Sequence, residues 1–303
     1  MINKPVIKPE DFIKDYSNEN KAELFINFID ESRYFHNAIL NYGYSLLRKI
    51  YLKYLINPND KEIEYISGLI KNRNGKISIE KVVRYLEDRF RDDHLRKFEY
   101  AYLARCLARK NIKKNIIVDM GGGFSYSTIT SALLELPESQ ITSVDVIDFP
   151  RKSKFGIKYV TGNSMDTKLQ SNYADVVSMI SMLEHVGLGR YGDPIDINGD
   201  IKAMQEVYRV LKPGGYVVLT VPYGYPTVVY NLHRIYDRGR FNRITKGFKP
   251  IVLEYSYLGR KCRRKDIEKK HAVKNIKGFY NDVKNEEKIY CSQGGVLALL
   301  RKV

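Results

Sequence analysis

The stretch Asn115-Ile-Ile-Val-Asp-Met-Gly-Gly-Gly-Phe-Ser125 sets the reading of the whole chain. An apolar run of strand character ends in an acid, Asp119, and then in three consecutive glycines, Gly121 to Gly123. Ser125 to Leu136 reads as a helix. Glycines at this point let the backbone pass close to a ligand, because no Cβ stands in the way. The N-terminus of the helix behind them offers free N–H groups to polar ligand atoms. A second strand, Ile141 to Val146, carries Asp145 near its end, about one βα unit later. An acid there is placed to accept hydrogen bonds from ribose hydroxyls. Taken singly, these residues have plainer readings: the glycines make a tight turn, Asp119 caps it, and Asp145 is an exposed strand-end acid. Their joint occurrence at these intervals predicts a turn that holds an adenosine-containing cofactor.

A dinucleotide site expects Gly-x-Gly-x-x-Gly, and the place three residues after Gly123 is Tyr126, which argues against a pyrophosphate seat. No Gly-Lys-Ser/Thr is present, which excludes a P-loop. The order strand, Asp-x-Gly-x-Gly, helix, strand, acid resembles class I S-adenosylmethionine-dependent methyltransferases, with Ser125 where that family has a third glycine. The likeness continues at the right intervals. Ile157 to Thr161 reads as a third strand, followed by Gly162-Asn-Ser164 where the family usually has Gly-Asp-Ala near the adenine amino group. Asn163 departs from that pattern, though its side-chain oxygen still accepts a hydrogen bond. Ala174 to Ile180 is a fourth strand, ending in Ser181-Met-Leu-Glu-His185. Val210-Leu-Lys-Pro-Gly-Gly-Tyr-Val-Val-Leu-Thr-Val221 closes a helix and launches the fifth. Lys249 to Tyr257 and Gly294 to Val303 read as the last two strands, with a basic, largely helical insert over 259–290 between them. The resemblance implies an α/β, Rossmann-like methyltransferase sheet of seven strands, mostly parallel with one antiparallel edge strand, and helices on both faces. It implies S-adenosylmethionine as cofactor, held by Asp119, Gly121, Gly123, Asp145, Asn163, Ser164, Ser181 and Glu184.

Upstream of the glycine turn the patterns are helical. Apolar residues recur at three- and four-residue steps from Phe25 to Leu47, which predicts a long amphipathic helix or a pair. Asn57 to Asp60 breaks it, and Glu62 to Ile70, Ile79 to Phe90 and Asp93 to Ala108 follow as helices. Residues 1–110 are therefore expected to be a helical extension ahead of a catalytic domain over 111–303. Such a segment serves as a lid, a packing cap or a homodimer interface. Cys106, Cys262 and Cys291 are widely spaced and odd in number, which suggests neither a disulfide framework nor a zinc site. No apolar run reaches bilayer-spanning length, and Met1 to Pro5 lacks the apolar core of a signal peptide. A cytoplasmic location, peripheral to a membrane at most, is the expectation.

The second chemical phrase is Leu183-Glu-His-Val-Gly-Leu-Gly-Arg-Tyr-Gly-Asp-Pro-Ile-Asp196. A loop with glycines, a cation, an aromatic and acids carries more chemistry than a linker needs. With Glu99-Tyr100 and His233-Arg-Ile-Tyr236 it resembles an uncharacterised methyltransferase-like family associated with bacterial and archaeal surface-glycan genes. That likeness implies O-methylation of a sugar or glycan intermediate. A hydroxyl acceptor needs a base as attack proceeds. His185 is the first candidate, because a free imidazole is largely neutral at pH 7, and His233 is the second. His185 also fits a plainer role, lining the cofactor pocket. Arg190 and Tyr191 suit an anionic or sugar acceptor by charge and stacking, and Asp193, Arg234 and Tyr236 complete the expected substrate contacts. Asp193, Asp196 and Asp200 read as a carboxylate cluster, or as loop acids with Asn198 or Asp200 capping the helix that begins near Ile201. Ser181 stands where metal-binding relatives have the first Glu of Glu-x-x-Glu-His, so no metal is expected.

Net charge is +16, and lysines and arginines crowd the stretch from Arg234 to Lys270 among tyrosines. A basic, aromatic-rich surface attracts phosphate backbones and unstacked bases, so a nucleic-acid methyltransferase is the rival reading. Against it, neither Asp/Asn-Pro-Pro-Tyr nor Pro-Cys follows the fourth strand. Phosphate-bearing lipid-linked glycans, an anionic membrane face or plain solvation would also suit the charge. A binding protein that keeps the fold without catalysis is the third reading.

Overall fold

In chain order, the described elements begin with β1 (Phe25–Ile26), α1 (Pro58–Ile70), α2 (Ile79–Arg89) and α3 (Arg96–Leu107). Alternating units follow: β2 (Ile116–Met120), α4 (Tyr126–Leu133), β3 (Gln140–Asp145), β4 (Lys158–Thr161), β5 (Ala174–Ile180), α5 (Gly199–Val210) and β6 (Leu211–Pro222). The chain then runs through β7 (Thr227–Val229), β8 (His233–Ile235), α6 (Arg238–Ile244), β9 (Phe248–Tyr257), β10 (Arg260–Cys262), α7 (Arg264–Lys270) and β11 (Gly294–Lys302). The computed structural model describes residues 25–26, 58–70, 78–91, 93, 95–112, 115–122, 126–134, 140–146, 153, 155–224, 226–229, 233–270 and 294–303. Most of the helix expected from Phe25 to Leu47, and the insert beyond residue 270, lie outside them.

One sheet of eight strands runs β10-β9-β11-β6-β5-β2-β3-β4. The block β4-β3-β2-β5-β6 is parallel throughout. This is the α/β architecture expected, with two amendments. The sheet has eight strands rather than seven, because the start of the basic insert folds back as β10 against β9. The antiparallel strand that follows the insert, β11, is not at an edge: it lies between β6 and β9, antiparallel to both.

Strand periodicity divides the apolar residues between two cores. Val118 and Met120 of β2, Val217 and Leu219 of β6, and Val296 and Ala298 of β11 face one side, against Val207 of α5, Phe241 of α6 and Ile267 of α7. Ile117, Val218 and Leu297 face the other, against Ile66 of α1, Val82 and Leu86 of α2, Leu103 of α3 and Ile129 of α4. The described helices of the upstream segment thus share a core with the sheet. α1 starts at Pro58, inside the stretch read as a breaker, since proline is tolerated in a first helical turn. The upstream segment is also not wholly helical, because Phe25–Ile26 pairs in parallel with Thr227 and Val228. With β8 this makes a separate sheet of order β1-β7-β8. Among the described residues no helix is long and apolar enough to cross a membrane.

Candidate functional site

The parallel strands aim their carboxyl ends at one rim, where open α/β sheets bind ligands. At the end of β2, Gly121 takes φ +73, and a Cβ there would lie 2.4 Å from Met182 Cγ. A Cβ on Gly122 would lie 1.9 Å from Asp119 Oδ2. Both places therefore demand glycine. Gly121 N–H is tied to the next strand through the Val144 carbonyl at 2.7 Å. Gly123 lies outside the described residues.

Asp119 is fully buried and accepts from the hydroxyls of Ser127 (2.6 Å), Thr128 and Ser178 (2.7 Å). Thr128 shares its hydroxyl hydrogen with the Gly122 carbonyl at 2.9 Å. The expected ligand contact is thus replaced by a bracing one, in which Asp119 locks α4, β5 and the glycine turn together. Burial pushes its carboxyl up to about 6, against the three hydroxyls, and Asp145 adds to the rise. An acid raised in the folded state loses stabilisation as pH climbs from its ordinary 3.8 through about 6. Measured against Asp119→Asn by denaturant unfolding, the wild-type protein should therefore gain on the order of 2 kcal/mol between pH 7 and pH 4. A flat difference would remove the buried ionisable acid.

Asp145 ends β3 half-buried, opposite Thr161 of β4, and its carbonyl accepts from Gly162 N–H at 2.8 Å. Asn163 turns its side-chain oxygen to the Met165 N–H at 2.9 Å, so that oxygen holds its own turn. Ser164 sits half-buried in the same turn.

Ser181, just past β5, takes the left-handed φ of +47. Its N–H donates to Thr220 Oγ1 at 3.0 Å and its hydroxyl to Glu99. A 3₁₀ turn over Leu183–His185 follows. Glu184 is buried within it, and burial lifts its carboxyl to about 8. His185 is half-buried, its Nε2 3.8 Å from Glu184 Oε1. Its ring meets Tyr191 edge-on at 5.6 Å and His233 at 6.3 Å. Burial and the Arg190 charge hold His233 down at about 4, which makes it a weak proton acceptor. Arg190 lies over the exposed ring of Tyr191 at 5.4 Å.

Three expected substrate contacts are instead internal. Asp193 is buried, and its carboxylate accepts from the N–H groups of Gly187 (2.7 Å) and Tyr191 (3.2 Å). Arg234, 1 % exposed, donates to the carbonyls of Val186, Asp196 (3.3 Å) and Ile197 (3.2 Å). The Tyr236 hydroxyl donates to Asp200 Oδ2 at 3.1 Å. These groups clamp the loop after β5 because its backbone, folded inward, needs internal partners. Asp193, Asp196 and Asp200 are shared out among those contacts and a Lys202–Asp196 pair. Among the described residues no three His, Cys, Asp or Glu gather as a metal site. Asn198 flanks α5 without capping it through its side chain, and the Asp200 carboxylate accepts from Ile201 N–H at 2.9 Å.

Glu99 is the residue whose role sequence reasoning missed. It reaches from α3 to the ends of β5 and β6, where Oε1 accepts from the Ser181 and Thr220 (2.8 Å) hydroxyls. The available signal was a lone acid inside the apolar run Phe98-Glu-Tyr-Ala-Tyr-Leu103. The described basic stretch is partly neutralised in place, Lys261 by Glu254 at 2.7 Å and Arg263 by Asp266 at 3.2 Å.

A family model described as "Caenorhabditis protein of unknown function, DUF268" matches residues 136–283, a little under half the chain. The chain is 26% identical over 189 residues to ubiquinone/menaquinone biosynthesis C-methyltransferase UbiE of Pectobacterium atrosepticum, covering 61% of this chain and 65% of that protein. The chain thus matches just under two thirds of that relative's length. Among solved structures it is similar to the 1,6-didemethyltoxoflavin-N1-methyltransferase of Burkholderia thailandensis, bound to 1,6-didemethyltoxoflavin and S-adenosylhomocysteine. That match has a TM-score of 0.46 and 14% identity over 74% of this chain and 87% of that one. The N-methyltransferase NodS of Bradyrhizobium japonicum, in complex with S-adenosylhomocysteine, matches at TM-score 0.45 and 12% identity over 73% and 98% of the two chains.

Proposed function

We propose that the chain is an S-adenosylmethionine-dependent methyltransferase that methylates a hydroxyl of a sugar or glycan intermediate. One juxtaposition carries the reading: a turn closed to any Cβ, the half-buried Asp145 and the half-buried His185 share the carboxyl rim of one sheet. The similarity to a named C-methyltransferase supports the reaction class. The residues present fit the cofactor. Gly121 and Gly122 let the backbone approach it, and Asp145 offers a carboxylate to ribose hydroxyls. Bound there, the cofactor supplies a methyl group on a positively charged sulfur.

The chain's own task is mainly proximity and alignment. His185 takes the hydroxyl proton as the acceptor attacks, leaving an imidazolium beside Glu184. Arg190 and Tyr191 hold the acceptor by charge and by the ring face.

Labelled methyl transfer from S-adenosylmethionine into a fractionated extract tests the reading. Label in a nuclease-resistant glycan or lipid-linked sugar supports it, and nuclease-sensitive label moves the acceptor to nucleic acid. No label and no cofactor binding would leave a non-catalytic binding protein. Replacing Asp145 with Ala should weaken S-adenosylhomocysteine binding by about 1–3 kcal/mol. Unchanged affinity in a calorimetric titration would sink that contact.

A further inference from the structure

β9 and β10 are joined by a two-residue loop, Leu258-Gly259, with Tyr257 opposite Arg260. Both loop residues take positive φ, +48 and +69, the pattern of a type I′ turn. Such a turn favours Asn-Gly or Asp-Gly, because a bulky side chain crowds the backbone in the left-handed region. Among the described non-glycine residues with positive φ, Lys168, Asn172 and Ser181 are polar, and Leu258 alone is apolar. It gains little burial in return, since 41 % of it stays exposed. A strained, exposed leucine does nothing for folding alone, which points to a contact outside the chain.

Register fixes where that contact lies. Pro222 closes β6 opposite Gly295, and Tyr257 pairs with Gly294, one residue further out. The Leu258 turn therefore lies past the carboxyl ends of the parallel strands, on the rim that carries the glycine turn and His185. Cations follow it: Arg260, Lys261, Arg263 and Lys265 are all exposed. Glu254 answers Lys261 at 2.7 Å, and Asp266 answers Arg263 at 3.2 Å. Arg260, beside the loop, joins no ion pair among the described residues.

We propose that the Leu258 hairpin docks the protein onto an anionic lipid surface, with the leucine in the headgroup–acyl boundary and the cations on the headgroups. Inserting an exposed aliphatic chain removes apolar area from water, and nearby cations add attraction to the headgroups. Nucleic acid suits the same cations but has no use for the leucine, because stacking on bases needs ring faces. Docked this way, the ligand rim faces the bilayer, which suits a lipid-borne acceptor. Only that consequence rests on the methyl-transfer reading; the docking does not.

Sedimentation of the full chain with vesicles tests the contact. Binding is expected to phosphatidylcholine vesicles containing phosphatidylglycerol, to weaken in high salt, and to be slight without the anionic lipid. Leu258→Asn should weaken that binding about tenfold. Its urea midpoint should stay equal or rise, because asparagine suits the turn, and these opposite effects separate docking from a structural role. Arg260→Gln should weaken binding roughly fivefold. No binding to the anionic vesicles, or binding indifferent to both substitutions, overturns the proposal. Two other results without vesicle binding also overturn it. RNA binding lost in Arg260→Gln gives the cations to nucleic acid, and a dimer broken by Leu258→Asn gives the leucine to a second copy. The readout needs no methyl transfer, so failure of the enzymatic reading leaves the docking intact.

Discussion

Replacing His185 with alanine is expected to slow methyl transfer about 10²–10⁴-fold, the usual contribution of a positioned general base. Cofactor affinity should stay close to that of the wild-type protein, since the glycine turn and Asp145 are untouched. The imidazole is held by its surroundings: Glu184 3.8 Å from Nε2, and the rings of Tyr191 and His233 edge-on to it. Its own backbone is fixed by the turn over Leu183–His185. No comparable base stands beside it to replace it. His233, held down at about 4 by burial and Arg190, is too weak a base to take over. Near-normal turnover would remove His185 from the chemistry and leave it lining the pocket.

Arg234→Met should destabilise the fold by about 3–5 kcal/mol, as expected when one partner of a buried charged network is deleted. The substitution leaves the carbonyls of Val186, Asp196 and Ile197 without this donor, and a buried Asp200 without the guanidinium 3.8 Å away. The damage should start locally. Amides of residues 186–197 should exchange with solvent faster than those of β5 and β6, even where the protein remains folded. Arg234→Lys should rescue little, because one ammonium lacks the fork needed to reach three carbonyls. A loss under about 1 kcal/mol in urea unfolding, or unchanged exchange over the loop, would show that the clamp is dispensable.

The parallel core was legible because its signal is local. Ala174 to Ile180 is apolar enough to be buried on both faces, and β5 has those same bounds. The glycine turn was legible for a related reason, since a Cβ there collides with neighbours only a few residues or one strand away. The clamp was not. Arg234 and Tyr236 look like ligand contacts in a basic, aromatic stretch, and nothing nearby in sequence says that Val186 and Asp200 will take them. Asp119 was recognised as an acid of the turn, but its three hydroxyl partners converge only once α4 and β5 are packed. β7 and β8 span three residues each, too short to show a period. Glu99 stayed without a role because its partners Ser181 and Thr220 lie far along the chain.

The place of β11 imposes an order of assembly. Among the described residues β9 and β10 reach the main sheet only through β11, so the hairpin has no docking edge until the later strand is in position. Until then β6 presents an open row of backbone donors and acceptors, an invitation to pair with another molecule. Loss of β11 would therefore release both outer strands from the sheet together, rather than trimming one edge.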